Sequence, residues 1–488
     1  MTACKASLTL TNSATRPSIS ASTILTRLTD PFSPLTFPFL PITQCPDCQI
    51  WEFTLLVFIT PDWDCQIYLH LKAGTYLAFF KSGKESRGGL RRSDPARPDA
   101  LAASRRQWQN NRARSPRAEA LSLIVDPELV KVSDDKKVST LLEIDGARYS
   151  GSGTIVRQAV AFAALTGQAV RIINARARRP RPGLRLQHIR VIESIRELVG
   201  GTSEGVHQGS TEIVFRPGVP KFDGSYRWDI GSAGSTTALA LALLPVLAFA
   251  PGPVKVELRG GLFQDFAPSY YHLKQVLAPL LERMGIQTEM QLGRPGYVPR
   301  GEGILHLTVR PALTRLRPLV MESPGPVEKL WGIALSSHLQ DRKVSERMAT
   351  AANEVFGAAG YRAEIEAIYE SSALQPGAAF VAFADLEGGA RLGADRAGAP
   401  ARPSEAIGKY VARQLLEELN AGATLDRYAS DQIIPFASLA AGESRFSIPG
   451  LTDHIQSGAW LSREFLGAEV RIEGRRLIIK GIGFQAQS

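Results

Sequence analysis

The feature that most constrains this chain is a strand–helix–strand–helix–strand order that recurs after residue 141, with glycine at the joints. Leu141–Ile144 is a short apolar strand closed by Asp145-Gly146. The Ser150-Gly-Ser-Gly153 loop leads into a helix over Thr154–Thr166, whose apolar residues keep helical spacing and stop at Gly167. Val170–Asn174 reads as a strand, Gln187–Gly200 as an amphipathic helix and Thr211–Phe215 as a further strand. The order repeats with a helix at Ser232–Leu247, a strand at Val254–Leu258, a helix at Tyr271–Met284 and a strand at Leu305–Val309. A third copy has helices at Ala429–Ala441 and Ile455–Phe465, an extended Arg445–Ile448 and a closing hairpin over Val470–Ile479. Alternation of this kind predicts an α/β (α+β) fold built from repeats.

Residues 325–415 interrupt the series with a helix (Val344–Gly357), a strand (Ala378–Phe383), a Gly/Ala/Arg loop (Gly388–Arg402) and a helix (Ser404–Leu419). They read as an inserted α/β subdomain. The core is then 139–324 plus 416–488. Residues 1–138 differ in texture. From Arg87 to Arg117 there are nine arginines against Asp94 and Asp99, with three prolines and almost no large aliphatic residue. Such a stretch cannot bury enough apolar area to offset chain entropy, so it reads as disordered. A basic nucleic-acid arm, a linker, and translated sequence upstream of the true start remain open for it.

The net charge of +10 divides evenly, +5 in residues 1–138 and +5 in the remainder, so it singles out no anionic partner. No apolar run reaches the roughly 18 residues a bilayer crossing needs; Trp51–Leu71 is broken by Glu52, Pro61, Asp62 and Asp64. All four cysteines lie in the first 65 residues, which excludes a disulfide scaffold for the rest and fits a reducing cytoplasm. Cys45-Pro-Asp-Cys48 has the spacing of half a zinc site, with Cys65 and His70 as candidate partners; incidental cysteines are the alternative. After residue 65 no metal-ligand spacing is present.

Two local features can do chemistry. Asn174 to His188 holds five arginines with two prolines and a glycine between a strand and a helix. Guanidinium groups fork around phosphate oxygens, and the prolines limit the entropy lost in doing so. The alternative is a solvated basic turn. The second feature is His454, after Thr452-Asp453 at the head of a helix, where the helix N-terminus disfavours imidazolium and leaves a nucleophilic nitrogen. His188, His272 and His338 fall in helical stretches and read as surface or capping residues.

These residues, in order, resemble the RNA 3′-terminal phosphate cyclases: Leu142-Glu-Ile-Asp145-Gly to Arg157, Arg176 to His188, Gly209 to Gly218, Ile230 to Ser235, Gly260-Gly261 to Ala267-Pro268, Asp426 to Gln432, and Thr452-Asp-His454. The likeness runs from about 139 to the C-terminus. It implies three repeated βαβαββ-type units, as in enolpyruvylshikimate-phosphate synthase, with a small inserted α/β domain. It also implies a ligase that uses ATP and Mg²⁺ or Mn²⁺ to adenylylate a histidine and passes AMP to an RNA 3′-phosphate. Attack by the vicinal 2′-hydroxyl then gives a 2′,3′-cyclic phosphate. The resemblance makes His454 the adenylylated nucleophile. It places Tyr428, Ala429, Ser430, Asp431, Gln432 and Pro268 around the nucleotide, and Arg157, Arg176, Arg179 and Gln187 around phosphates of ATP or of the RNA end.

The sequence departs from the family in three places. The family's Gly-Glu-Gly-Gly-Gly-Gln loop, whose Glu helps hold the metal, is Tyr149-Ser150-Gly-Ser-Gly-Thr154 here, so a hydroxyl stands for a carboxylate. The family's adenine-contacting Gln appears as Leu241, and the Thr-Asn after the histidine as Ser457-Gly458. Two other readings remain open: a non-catalytic cyclase-like RNA-binding or ribosome-assembly protein, whose family representative lacks the nucleophilic histidine, and a nucleotidyl-transferring enzyme acting on another terminal phosphate. The sequence does not fix the oligomeric state.

Overall fold

The computed structural model describes residues 141–312 and 314–485, together with the backbone of five strands nearer the N-terminus. Those strands form an antiparallel hairpin, β1 (Thr2–Ser13) and β2 (Arg16–Arg27), and an antiparallel meander, β3 (Phe53–Ile59), β4 (Cys65–Leu71) and β5 (Gly74–Phe80). They belong to a unit, 1–130, separate from the unit 131–488. The arginine-rich stretch 87–117, and Cys45 with Cys48, lie outside the described residues.

The second unit contains one plan three times. In the first copy β6 (Leu142–Asp145) pairs parallel with β7 (Val170–Ile173), which pairs antiparallel with β9 (Ile213–Arg216), and β8 (Thr202–Glu204) closes the edge. Helices α1 (Gly153–Thr166) and α2 (Leu186–Val199) complete it. In the second copy β10 (Ser225–Asp229) and β11 (Val254–Gly260) are the parallel pair, followed by β13 (Gly303–Arg310) and β12 (Gln287–Arg294). Its helices are α3 (Thr236–Leu247) and a helical run 270–284, α4. In the third, β14 (Val320–Met321) runs parallel to β19 (Ala441–Ser447), beside β21 (Arg476–Ile482) and β20 (Glu469–Glu473). The sheet of each copy therefore has the spatial order first, second, fourth, third. That is the βαβαββ unit the family resemblance implies, one strand more than the recurring sequence pattern shows.

The helices form the interior. α1 buries Ile155, Val156, Ala159, Val160, Phe162 and Ala163 completely or nearly so. Burial of each large apolar side chain there contributes about 1.5–3 kcal/mol. α3 is apolar all round and buried at every position but Leu241, as expected of a helix with protein on all sides.

The insert lies between the first two strands of the third copy. β15 (Val327–Ser337) pairs parallel with β16 (Ala363–Glu370) and antiparallel with β17 (Gly377–Leu386), and β18 (Arg391–Ala397) forms the far edge. Helices α5 (Val344–Ala358) and α6 (Ser404–Asn420) accompany this sheet. One sequence expectation changes here. The stretch expected as a Gly/Ala/Arg loop holds strand β18, because its small residues allow close approach: a Cβ on Gly393 would lie 2.9 Å from the His272 ring. Helix α6 runs to Asn420, within one residue of the end read from the sequence. The insert is tied to the core by Tyr297, whose hydroxyl is 2.9 Å from Ser337 Oγ, and by the Asp265–Arg402 ion pair.

Candidate active site

The third copy places His454 one residue into α7 (Asp453–Leu466). Thr452 caps this helix, its hydroxyl accepting from Ile455 N at 3.2 Å. The imidazole reaches α1 of the first copy, where His454 Nδ1 lies 3.1 Å from Thr154 Oγ1. The same hydroxyl accepts from Arg157 Nη2 at 3.0 Å. Asp431 Oδ2 is 3.7 Å from His454 Nδ1 on the same side. Nε2 has no partner among the described residues.

Around them opens a cavity of about 780 Å³, within the usual range of roughly 300–1,000 Å³ for small-ligand sites. All three copies and the insert supply its walls. Thr154, Arg157, Arg179 and Gln187 come from the first, Leu241 and Pro268 from the second, Tyr428, Asp431, Gln432 and His454 from the third, and Asp395, Arg396 and Tyr410 from the insert.

Charge in the cavity follows from burial beside cations. Burial pulls the His454 imidazole down to about 4, and Arg157 and Arg179 add to the shift, so the ring is neutral near pH 7. Arg157 is lowered to about 10 by its own burial, with Asp431 opposing, and stays charged. Burial pushes the Asp431 carboxyl up to about 7 while Arg157 pulls the other way. Burial also raises the Tyr428 phenol. The result is a neutral, accessible nitrogen beside half-buried guanidinium groups, which suits a nucleophile attacking an anionic phosphorus centre.

The structure separates the remaining sequence candidates. Arg179 faces the cavity with no side-chain partner among the described residues, whereas Arg176 does not line it. Arg176 is in left-handed backbone (φ +60°), and its guanidinium donates to the carbonyls of Arg181 and Gly183, holding the basic loop in shape. Gln187 lines the cavity and also accepts from Ser235 N at 2.9 Å, bridging α2 to the start of α3. Tyr428, Asp431, Gln432 and Pro268 all line it. Ala429 and Ser430 are fully buried and do not; Ser430 Oγ donates to Asp426 O at 2.7 Å within the turn.

Ser150 lies outside the cavity lining. Its hydroxyl accepts from Ser457 at 2.9 Å and sits 3.1 Å from Ser152 Oγ, a closed hydroxyl cluster. Among the described residues no group of three His, Cys, Asp or Glu side chains could hold a metal ion. The donors around Ser150 are neutral hydroxyls satisfied by one another, so they do not fit a protein-held divalent cation.

Sequence reading missed the support behind this wall. His272, expected at a surface or cap, is fully buried with Nε2 3.0 Å from Asp426 Oδ2. Burial alone would lower the histidine, but the Asp426 charge and hydrogen bond raise it; Asp426 is held low against its own burial by that same partner. Asp426 also accepts from the backbone N–H of Tyr428 and Ala429, at 2.9 Å each, fixing the turn that presents Tyr428. With the partners 154 positions apart in sequence, no local signal could reveal this pair.

The family model described as "RTC: RNA 3′-terminal phosphate cyclase" matches residues 148–472. The chain belongs to the RNA 3′-terminal phosphate cyclase family. Among its relatives, the RNA 3′-terminal phosphate cyclase of Methanopyrus kandleri is 40% identical over 341 residues, covering 69% of this chain and 96% of the relative. That of Hyperthermus butylicus is 40% identical over 371 residues, covering 71% of this chain and the whole relative. That of Archaeoglobus fulgidus is 36% identical over 340 residues, with 70% and 100% covered. As an RNA 3′-terminal phosphate cyclase family member the chain is an enzyme, and its repeated α/β architecture is that of the family. The matched region spans the cavity and every residue placed around His454. Among the described residues no helix is long and apolar enough to cross a membrane.

Proposed function

We propose that this enzyme converts an RNA 3′-terminal phosphate to a 2′,3′-cyclic phosphodiester at the expense of ATP, through a histidine–AMP intermediate on His454. The observation that carries this reading is the setting of His454: a neutral imidazole with Nδ1 engaged by Thr154 and Nε2 free in a cavity lined by half-buried arginines.

With Nδ1–H donating to Thr154 Oγ1, Nε2 keeps its lone pair and attacks the α-phosphorus of ATP. A nitrogen–phosphorus bond forms, the bond to the bridging oxygen breaks and pyrophosphate leaves. Arg157 and Arg179 offset the negative charge that builds on the phosphorus oxygens. The RNA 3′-phosphate then displaces His454 from the adenylyl phosphorus, giving an RNA–AMP anhydride. The 2′-hydroxyl beside it attacks the RNA phosphorus, closing a five-membered ring and expelling AMP. Closure is favoured because both reacting groups sit on one ribose. Pro268 and Tyr428 flank the adenosine, with Gln432 at its edge. Ala429 and Ser430 shape the turn that carries Tyr428. Ser150 would not hold a cation; Mg²⁺ or Mn²⁺ would enter with the ATP and offset the charge of its phosphates. A cytoplasmic setting is supported by the absence of cysteine after residue 65.

The test uses an oligoribonucleotide with a 3′-phosphate, ATP and Mg²⁺ or Mn²⁺. The terminal phosphate becomes resistant to phosphatase, and AMP and pyrophosphate appear in equal amounts. An oligonucleotide whose last sugar is 2′-deoxy keeps its phosphatase sensitivity. Resistance acquired by the 2′-deoxy end would overturn the cyclisation step, and no resistance with either end would overturn the reading.

A further inference from the structure

Phe266 is the most exposed of the large apolar side chains among the described residues, at 97%, yet it lines the same cavity as His454. Its backbone is left-handed (φ +67°), a conformation that large side chains rarely adopt. The residues on both sides of it are fixed. Asp265 is gripped by Arg402 through both carboxylate oxygens, at 2.7 and 3.1 Å. Pro268 O accepts from Thr237 Oγ1 at 2.7 Å, and Ser269 N donates to Asp395 at 2.6 Å. The loop thus holds Phe266 out at the rim on a rigid base. Beside it on the cavity wall is Arg396, whose guanidinium stacks on Tyr410 at 3.9 Å and lies 3.8 Å from Asp265.

We propose that the Phe266 ring is the platform on which the 3′-terminal base of the RNA stacks, with Arg396 beside it meeting the RNA backbone. This rests on the cyclase reading above. A ring with almost its whole surface in solvent cannot enclose a ligand held inside the cavity. It offers a face to one that enters from outside, and the RNA is the substrate that must extend beyond the cavity mouth. Exposed aromatic rings interleaved with arginine are how proteins hold single-stranded ends. Stacking involves no hydrogen-bond readout, so this platform accepts any terminal base, with purines held more tightly than pyrimidines because their faces are larger.

The test is an oligoribonucleotide with a 3′-phosphate and 2-aminopurine as its last base, whose fluorescence is quenched on stacking. Wild-type protein quenches the probe. Phe266→Ala loses the quench and weakens binding about tenfold, as expected for loss of one base–aromatic stack. Phe266→Trp restores both, and thermal melting confirms that each variant is folded. Self-labelling by α-labelled ATP without RNA stays within about twofold of wild type in Phe266→Ala. An unchanged quench and affinity in Phe266→Ala would overturn the proposal, as would a parallel loss of self-labelling, which would assign the ring to the nucleotide. The readout is independent of turnover. Wild-type quenching without cyclisation would refute the cyclase reading and leave the platform standing; cyclisation with an unaltered RNA KM in Phe266→Ala would do the reverse.

Discussion

The Thr154 hydroxyl in the first repeat lies 3.1 Å from Nδ1 of His454 in the third, across 300 residues of sequence, while accepting from Arg157. With Nδ1–H donating to that hydroxyl, which already accepts from Arg157, Nε2 keeps its lone pair for attack. Thr154→Val keeps the shape and removes the oxygen, so self-adenylylation falls by about ten- to a hundredfold, in line with losing one orienting polar contact. Thr154→Ser retains most of the rate. Initial rates of label uptake check this.

Asp431 predicts the pH dependence. Its carboxyl is pushed up to about 7, so it is neutral below that pH and charged above it. The charged form attracts Nδ1–H of His454 from 3.7 Å. His454 itself is held down to about 4 and stays neutral throughout. Self-adenylylation therefore rises with pH through about 7. In Asp431→Asn that limb disappears and the rate is lower but flat between about pH 5 and 8. A limb near pH 7 that survives in Asp431→Asn would assign it elsewhere.

Gly153 begins α1 directly against a buried histidine. A Cβ there would lie 2.0 Å from His188 Nε2, and His188 is fixed by the Arg185 N–H at 3.2 Å. Gly153→Ala must displace one of them and costs about 1–3 kcal/mol. Melting temperature drops, and labelling falls with it because α1 carries Thr154 and Arg157. The control is Gly357→Ala in α5, where a Cβ meets nothing within 4 Å and the helix gains about 0.5–1 kcal/mol.

Much of the core was legible because its helices are long and periodic. The ends of α1 and α2 lie close to where apolar spacing and glycine stops put them, and α3 ends as expected at Leu247 but starts four residues later, at Thr236, once Ser235 can cap it. The short strands were not legible: β8 has three residues and β14 two, too few for any period to show. β18 was hidden by its Gly/Ala/Arg composition, because its burial comes from neighbours that only the fold supplies. At the site, His454 and the five-arginine loop were visible as local features, but which of those arginines faces the cavity was not, because Arg176 turns back onto its own loop. Thr154 could not, since a threonine opening a helix is ordinary until the third repeat brings a histidine to it. The His272–Asp426 pair failed for the same reason.

We place the catalytic machinery in residues 139–488. The family match begins at 148, and the relatives are covered over 96–100% of their length by about 70% of this chain. A chain beginning at residue 139 is expected to fold and cyclise RNA ends at the full-length rate. Comparison of kcat and KM for the two chains checks this; loss of folding or a large fall in kcat would give the N-terminal residues a role.

The most direct measurement is covalent label on the protein after incubation with α-labelled ATP and Mg²⁺ or Mn²⁺. Wild-type chain is predicted to carry label that is lost in acid and kept in alkali, the behaviour of a nitrogen–phosphorus bond. His454→Ala is predicted to carry none while melting at the wild-type temperature. Equal label on wild type and His454→Ala, or no label on either, would contradict the account.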